Sequence, residues 1–372
     1  MSEFAQQQVP LKQLNIYLTD GCSLSCRHCW QRANFSRNHH EKRQLSVVFF
    51  MQAVREALTL GLQTVLLTGE EPLQHPHFDT LFDWLEKLPV QLIIETCGSG
   101  LTPKRVERLA KSEKVSLTIG IDGADAETHD AIHHSPGSFN AAAEAVCLLA
   151  EAGLPPQVVF SLARQNVHQI SASVQLAEKL GAVSVRFSIP QQNCGQRGSH
   201  FPPAELESRT DELLTVPELI AIGRKIDREL ASSTRLRLAF DQPPAFRGLQ
   251  PNGYIDGQGR CGILNTLGVL PNGRYALCGA GQSADELILG KVGADPLDRI
   301  WQTHPVLKTL RSGMPDRLEG ICERCIMKTA CLGNCVAENY FRSGSFWGPY
   351  WFCDSAERAG LFPAGRLIEN NW

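Results

Sequence analysis

No run of this chain approaches the roughly 20 consecutive apolar residues that a helix needs to span a bilayer, so a membrane-spanning helix is excluded. Its first residues, Met-Ser-Glu-Phe-Ala-Gln-Gln-Gln, lack the basic and apolar regions of a secretory signal. Neither sign of charge dominates. The 36 Lys and Arg stand against 39 Asp and Glu, a formal net charge of -3, and no field of that size favours nucleic acid or an anionic membrane. What the chain does have in quantity is cysteine, 13 among 372 residues. Without a secretory signal, that number argues against a disulfide framework and for metal ligation in a reducing compartment, hence for a cytoplasmic protein. The length leaves room for two domains and a sizeable core.

Cys97, Cys147 and Cys194 stand apart, and the other cysteines form two spaced groups. A short strand-like run from Asn15 to Thr19 ends in Asp20-Gly21, and a polar loop then carries Cys22-x3-Cys26-x2-Cys29. Three thiolates suit an iron–sulfur cluster with one iron lacking a protein ligand; structural zinc wants four ligands and would need His28, His39 or His40 to complete it. The second group runs Cys261, Cys278, Cys322-x2-Cys325-x5-Cys331-x3-Cys335 and Cys353. Seven thiols divide badly into fours unless one site is open.

Apolar strand-like runs at 14–19, 64–68, 91–96, 115–121, 157–162 and 183–189 alternate with helical patterns at 46–60, 77–88, 103–112, 138–152 and 167–180. Such alternation implies a parallel sheet with right-handed crossovers, closed as a partial barrel or doubly wound. Residues 191–250 are polar and read as a connector with one helix (217–232) and a short strand, which divides the chain into 1–190, 191–250 and 251–372. Leu270 to Arg274 reads as a hairpin turn, and 297–310 as a helix broken at Pro305. The aromatic run Phe346 to Phe352 reads as cover for a metal centre, or alternatively as a docking surface. His39, His40, His75 and His77 read as solvated loop residues.

The first cysteine loop resembles the cluster loop of radical S-adenosylmethionine (SAM) enzymes, with His28 in the place of a usual aromatic. The resemblance implies a partial (β/α)6 TIM-type barrel, with chemistry at the carboxyl ends of its strands. It also implies a [4Fe–4S] cluster on Cys22, Cys26 and Cys29 whose open iron chelates SAM. Thr68-Gly69-Glu70-Glu71-Pro72 resembles the family's Gly-Gly-Glu-Pro segment, which binds the SAM amino group; Glu70 stands where the second glycine is usual. Glu95 and Thr96 are similar to contacts for ribose or substrate. Gly120-Ile121-Asp122-Gly123, His129-Asp130 and Gly137-Ser138-Phe139 resemble a track of peptide-modifying members. In that track Gly120 replaces a serine, and His133 falls where an arginine commonly clamps the SAM carboxylate. Ser161 and Arg186 match positions facing the SAM pocket, and Glu95, Cys97 and Arg186 are the candidates for a catalytic role.

The second group resembles the SPASM extension, which implies two auxiliary [4Fe–4S] clusters, three clusters in all. Cys322, Cys325, Cys331 and Cys353 would hold the outer one; Cys261, Cys278 and Cys335 would hold the inner one. The eighth cysteine of some relatives is missing, so the inner cluster has an open iron or takes Cys194 or Asp256. These resemblances imply an oxidoreductase that cleaves SAM to a 5′-deoxyadenosyl radical, fed by a flavodoxin or ferredoxin. They point to a maturase that crosslinks a ribosomally made precursor peptide, through carbon–carbon (cyclophane-like) or thioether bonds. An anaerobic sulfatase maturase is the first alternative, although Gly279 stands where that branch has an aspartate. A tetrapyrrole or small-molecule enzyme and a zinc scaffold are the others. About 14 residues precede the first strand, too few for a leader-recognition domain, so a separate protein or the segment 191–260 would bind a leader.

Overall fold

The computed structural model of the chain describes residues 9–26, 29, 43–190, 213–248, 261–282 and 284–368. Six βα units open it: β1 (Gln13–Tyr17), α1 (Val47–Thr59), β2 (Thr64–Thr68), α2 (Phe78–Leu85), β3 (Gln91–Thr96), α3 (Pro103–Ala110), β4 (Val115–Gly120), α4 (Ala126–His133), α5 (Ser138–Glu151), β5 (Gln157–Ser161), α6 (Ile170–Lys179) and β6 (Ser184–Ser188). Neighbours from β1 to β6 pair in parallel and in sequence order. The period-2 geometry of a strand explains how this sheet faces two environments. Leu14 and Ile16, Val65 and Leu67, Leu92 and Ile94, Leu117 and Ile119, Val158 and Phe160, and Val185 and Phe187 are buried in the main core. The residues between them, among them Glu95, Thr118, Gly120, Val159, Ser161 and Arg186, face the interior of the curve.

The helix signals act locally. The Ser46 hydroxyl accepts from the Phe49 N–H at 3.2 Å and opens α1. Asp125 does the same for α4 through the Thr128 N–H at 2.8 Å, and His134, with φ +48°, closes it. The sequence pattern shows α5 and gives no sign of α4. Asp130 joins them, accepting from the N–H groups of Gly137 and Phe139 and from the Ser138 hydroxyl.

The sheet is longer than six strands. In the connector, α7 (Val216–Lys225) leads to β7 (Arg237–Phe240), which pairs in parallel with β6. On the other edge β8 (Thr266–Val269) runs parallel to β1, and β9 (Arg274–Ala276) and β10 (Ile288–Lys291) follow antiparallel. The hairpin expected at 270–274 thus extends the barrel sheet, and β1 lies inside a ten-stranded sheet. Helices α8 (Leu297–Thr303), α9 (Pro305–Gly313), α10 (Ile321–Arg324), α11 (Lys328–Cys331), α12 (Val336–Ser343) and α13 (Trp351–Arg358) complete the C-terminal part. The break between α8 and α9 falls at Pro305 as the sequence suggests. Trp347, Tyr350, Trp351 and Phe352 are buried in the core, which removes the docking-surface reading of that run. Among the described residues no helix is long and apolar enough to cross a membrane.

Gly268 on β8 lies against the turn that carries Cys278: a Cβ there would meet Cys278 backbone atoms at 3.1 Å. Gly268→Val is therefore expected to cost about 1–3 kcal/mol of stability by overpacking. Gly120→Ser, where an added Cβ meets nothing within 4 Å, is expected to leave the denaturation midpoint unchanged.

Candidate active site

A cavity of about 330 Å³ opens at the carboxyl ends of β2 to β6. Cys22, Cys26 and Cys29 line one side, and Thr68, Gly69, Glu70, Glu95, Thr96, Cys97, Gly120, Asp122, His133, Ser161 and Arg186 line the rest. Strand register sets the wall. Glu95 pairs with Thr118, Gly120 with Val159 and Val159 with Arg186, so these side chains line the same face. The Thr68 hydroxyl donates to Glu95 at 3.2 Å. Arg186 lies 3.9 Å from a carboxylate oxygen of Glu95 and 3.9 Å from one of Asp241, beyond hydrogen-bond length of either. Its charge faces both carboxylates, while its Nε makes no hydrogen bond, which leaves donor capacity for an anionic group in the cavity. Burial pushes the Asp241 carboxyl up against the opposing pull of Arg186 and Arg247.

The Gly69 turn shows why the second acidic residue does not face the cavity. Gly69 has φ +128° and an added Cβ would strike the backbone of Leu18 and Thr19, so the chain passes there without a side chain. Glu70 then lines the cavity, while Glu71 is fully buried and turned into the end of β3. The Glu71 carboxylate accepts from the Thr96 hydroxyl at 2.7 Å, the Cys97 N–H at 2.8 Å and the Leu73 N–H at 2.9 Å. Burial, and then the adjacent Cys97 thiol, push its carboxyl up. Thr96 lines the cavity, and its hydroxyl donates to Glu71 and accepts from the Gly98 N–H.

Asp122 is the hub of the β4 side. Its Oδ1 accepts from the Ser161 N–H at 2.6 Å, and its Oδ2 lies 2.8 Å from His133 Nε2. The other ring nitrogen of His133 lies 3.4 Å from Cys26 Sγ. The position that resemblance assigns to a SAM carboxylate clamp is thus occupied by a ring with both nitrogens engaged. Asn166 supports the hub by donating to the carbonyls of Asp122 and Ser161. Arg164 is instead an exposed partner of Glu218.

Cys97, a lone cysteine in the sequence, lines the cavity with its thiol 3.0 Å from the Ser99 hydroxyl and against Cys22. That proximity follows from strand order, which spacing in the sequence does not reveal. His75 is buried, not solvated, its Nε2 3.0 Å from the Leu45 carbonyl. His28, His39, His40, Cys194 and Asp256 lie outside the described residues.

The donor chemistry fits an iron–sulfur cluster. Burial raises the Cys26 thiol well above the usual range, and the neighbouring Cys29, Asp122 and Cys97 raise it further. Such a group becomes a stable thiolate only when a cation shares its charge. Among the described residues no three His, Cys, Asp or Glu converge tightly enough for a single metal ion.

The C-terminal thiols separate into a three and a four. Cys322, Cys325, Cys331 and Cys353 line one small apolar cavity with Leu318, Ile321 and Phe362. Burial pushes Cys322 up to about 11 and Cys331 to about 12, in each case reinforced by a neighbour from the same set. Cys261 is raised to about 11 by burial and by Cys335, and Cys278 is raised by burial, Cys335 and Cys261. Tyr350 is buried within reach of both Cys335 and Cys353. The Tyr17 hydroxyl on β1 accepts from the Gly279 N–H at 3.1 Å, tying the turn after Cys278 to the barrel.

A partial barrel of parallel strands, a cysteine-lined mouth and a thiol-rich C-terminal extension define the class. The sequence profile of the Radical SAM superfamily matches residues 16–164, and that of an iron–sulfur cluster-binding domain, SPASM, matches residues 261–326. The chain thus carries a radical SAM domain and a SPASM domain, the make-up of an oxidoreductase-type enzyme, and these domains imply SAM and iron–sulfur clusters. It is 26% identical to the AdoMet-dependent heme synthase of Methanosarcina barkeri, covering 90% of this chain and 94% of that protein. It is 27% identical to the mycofactocin maturase MftC of Mycolicibacterium smegmatis, covering 89% and 80%. The fold matches Streptococcus suis SuiB bound to its precursor peptide SuiA with a TM-score of 0.70, at 16% identity, over 93% of this chain and 76% of that one.

Anaerobic reconstitution provides a direct check of the thiol sets. Cys322→Ala is expected to lose about four irons and four sulfides per chain relative to wild type. Cys97→Ala, outside the expected ligand sets, is expected to lose none, as read by iron and sulfide analysis.

Proposed function

We propose that the chain is a radical SAM peptide maturase that oxidatively crosslinks a ribosomally made precursor, through a carbon–carbon (cyclophane-like) or thioether bond. The observation that carries this reading is the separation of the seven C-terminal thiols into two buried groups beside the barrel. Two auxiliary clusters give the surplus electron of a substrate radical somewhere to go, as a net oxidation requires. Cys261, Cys278 and Cys335 would hold the inner cluster, and Cys322, Cys325, Cys331 and Cys353 the outer. Cys22, Cys26 and Cys29 would hold the cluster that binds SAM. When bound, that cluster supplies one-electron cleavage of SAM to a 5′-deoxyadenosyl radical able to take hydrogen from an unactivated carbon.

The protein's own residues orient and exclude. The Gly69-Glu70 turn supplies close backbone approach and a carboxylate suited to the ammonium group of SAM. Arg186, poised between Glu95 and Asp241, is suited to a carboxylate of SAM or substrate. Ser161 is held on Asp122 through its backbone and accepts from the Ser188 hydroxyl at 3.2 Å, so its own hydroxyl hydrogen is what it can offer to the cavity. A flavodoxin or ferredoxin would supply electrons, and a separate protein a leader-binding function. The division into residues 1–190, 191–250 and 251–372 stands as a proposal alongside this reading. The similarity to mycofactocin maturase and to a peptide-bound fold neighbour supports a peptide substrate.

One observation favours a second reading, a haem-forming tetrapyrrole reaction: the similarity to AdoMet-dependent heme synthase spans 94% of that protein. The Arg186 charge in the cavity would there meet a tetrapyrrole carboxylate.

Reduced, oxygen-free enzyme given its precursor peptide is expected to release 5′-deoxyadenosine and to yield a product about 2 Da lighter per crosslink, two hydrogens having left. Deoxyadenosine release with peptide of unchanged mass counts against crosslinking. A porphyrin that co-purifies and is turned over would favour the second reading.

A further inference from the structure

We infer that His133 is a positioning residue for the SAM-binding cluster, hydrogen-bonding the thiolate of Cys26 and easing reduction of the cluster, and is not a clamp for the SAM carboxylate. This inference rests on the cluster assignment under Proposed function.

The ring is fixed on every side. His133 ends α4, and His129, one turn earlier on the same face, stacks on it at 3.9 Å with an interplanar angle of 16°. Nδ1 of His129 accepts the Asp122 N–H at 3.1 Å, so the stacking partner is itself held. Asp122 Oδ2 lies 2.8 Å from His133 Nε2, and its Oδ1 is held by the Ser161 N–H. Both members of the Asp122–His133 pair are more than nine-tenths buried. The cysteine loop docks on the same helix end, where the Ser25 N–H donates to the His133 carbonyl at 3.2 Å. Nδ1 of His133 lies 3.4 Å from Cys26 Sγ.

The chemistry of the two flanking atoms sets what this ring can do. A carboxylate only accepts, so Nε2 carries a hydrogen toward Asp122. A thiolate bonded to iron also only accepts, so Nδ1 carries one toward Cys26. Hydrogen bonds to the sulfur ligands of a cluster favour the form carrying the extra electron, and so raise its potential. The electron itself comes from the external one-electron donor. With both nitrogens committed, none remains for the carboxylate of SAM.

The test uses full-length, anaerobically reconstituted protein and the EPR signal of the cluster that changes on adding SAM, followed while the potential is stepped. His133→Phe is expected to make reduction of that cluster about tenfold less favourable, a negative shift of about 59 mV for one electron. His133→Gln, which keeps an N–H donor, is expected to fall between Phe and wild type. Iron content and the SAM dissociation constant are expected to stay within about twofold of wild type. Should His133→Phe fail to fold, His133→Leu, which is smaller and equally unable to donate, is expected to shift the potential in the same direction. Two results would overturn the inference: an unchanged potential with SAM binding weakened about tenfold, or an unchanged potential with iron lost in both His133 variants. A wild-type signal that never responds to SAM would instead remove the cluster assignment, and this inference with it.

Discussion

A thiolate withdrawn from water needs a positive partner, and the grouped thiols of this chain meet that need through the iron–sulfur chemistry that its domains imply. Desolvation raises buried Cys26, Cys261, Cys278, Cys322, Cys331 and Cys353. The small four-cysteine cavity is lined otherwise mainly by apolar side chains, with Lys328 among them. The C-terminal part compensates with metal chemistry for what its short helices cannot supply by themselves, since α10 and α11 are only four residues each. In the barrel the same constraint works differently. There the trio of thiols shares its cavity with carboxylates, an arginine and a polar hub, a mixture that suits a site required to bind and release a charged cofactor.

The parallel sheet turns a linear sequence into that mixture. Side chains alternate across each strand, so one face is spent on the helices and the other reaches the cavity. Loops at the carboxyl ends then add Gly69-Glu70, Cys97 and Asp122 from segments more than twenty residues apart. Tight packing makes the hub at Asp122 a product of three elements: the end of β4, the last turn of α4, and the loop after β5 through Asn166. Helix α4 contributes two contacts, through His129 and His133, the end of β5 one through the Ser161 N–H, and the loop after it one through Asn166.

The strands and most helices were legible because burial imposes a period: Val65 and Leu67, or Val158 and Phe160, are legible as buried positions without any structure. The cysteine groups were legible because ligand spacing in a loop is short-range. Other features depended on tertiary placement. The similar residues Glu70 and Glu71 diverge because Gly69 bends the chain, which leaves one side chain facing the cavity and the other capping the end of β3. Helix α4 was masked by its polar composition, and with it the true setting of His133; the Asp125 cap was the available signal. Cys97 reached Cys22 only through the order of β1, β2 and β3. The pairing of β8 with β1 was invisible because a four-residue strand, Thr-Leu-Gly-Val, announces neither its partner nor its direction.

That last pairing has a consequence for how the two recognised domains relate. With β2 on one flank and β8 on the other, β1 has no open flank, although it is the first strand of the barrel. An amino-terminal fragment ending before β8 would leave the backbone amides and carbonyls along that flank bare, a template onto which foreign strands add. The two domains are therefore stitched by main chain and not merely adjacent, so the chain is poorly suited to being divided at the junction between them.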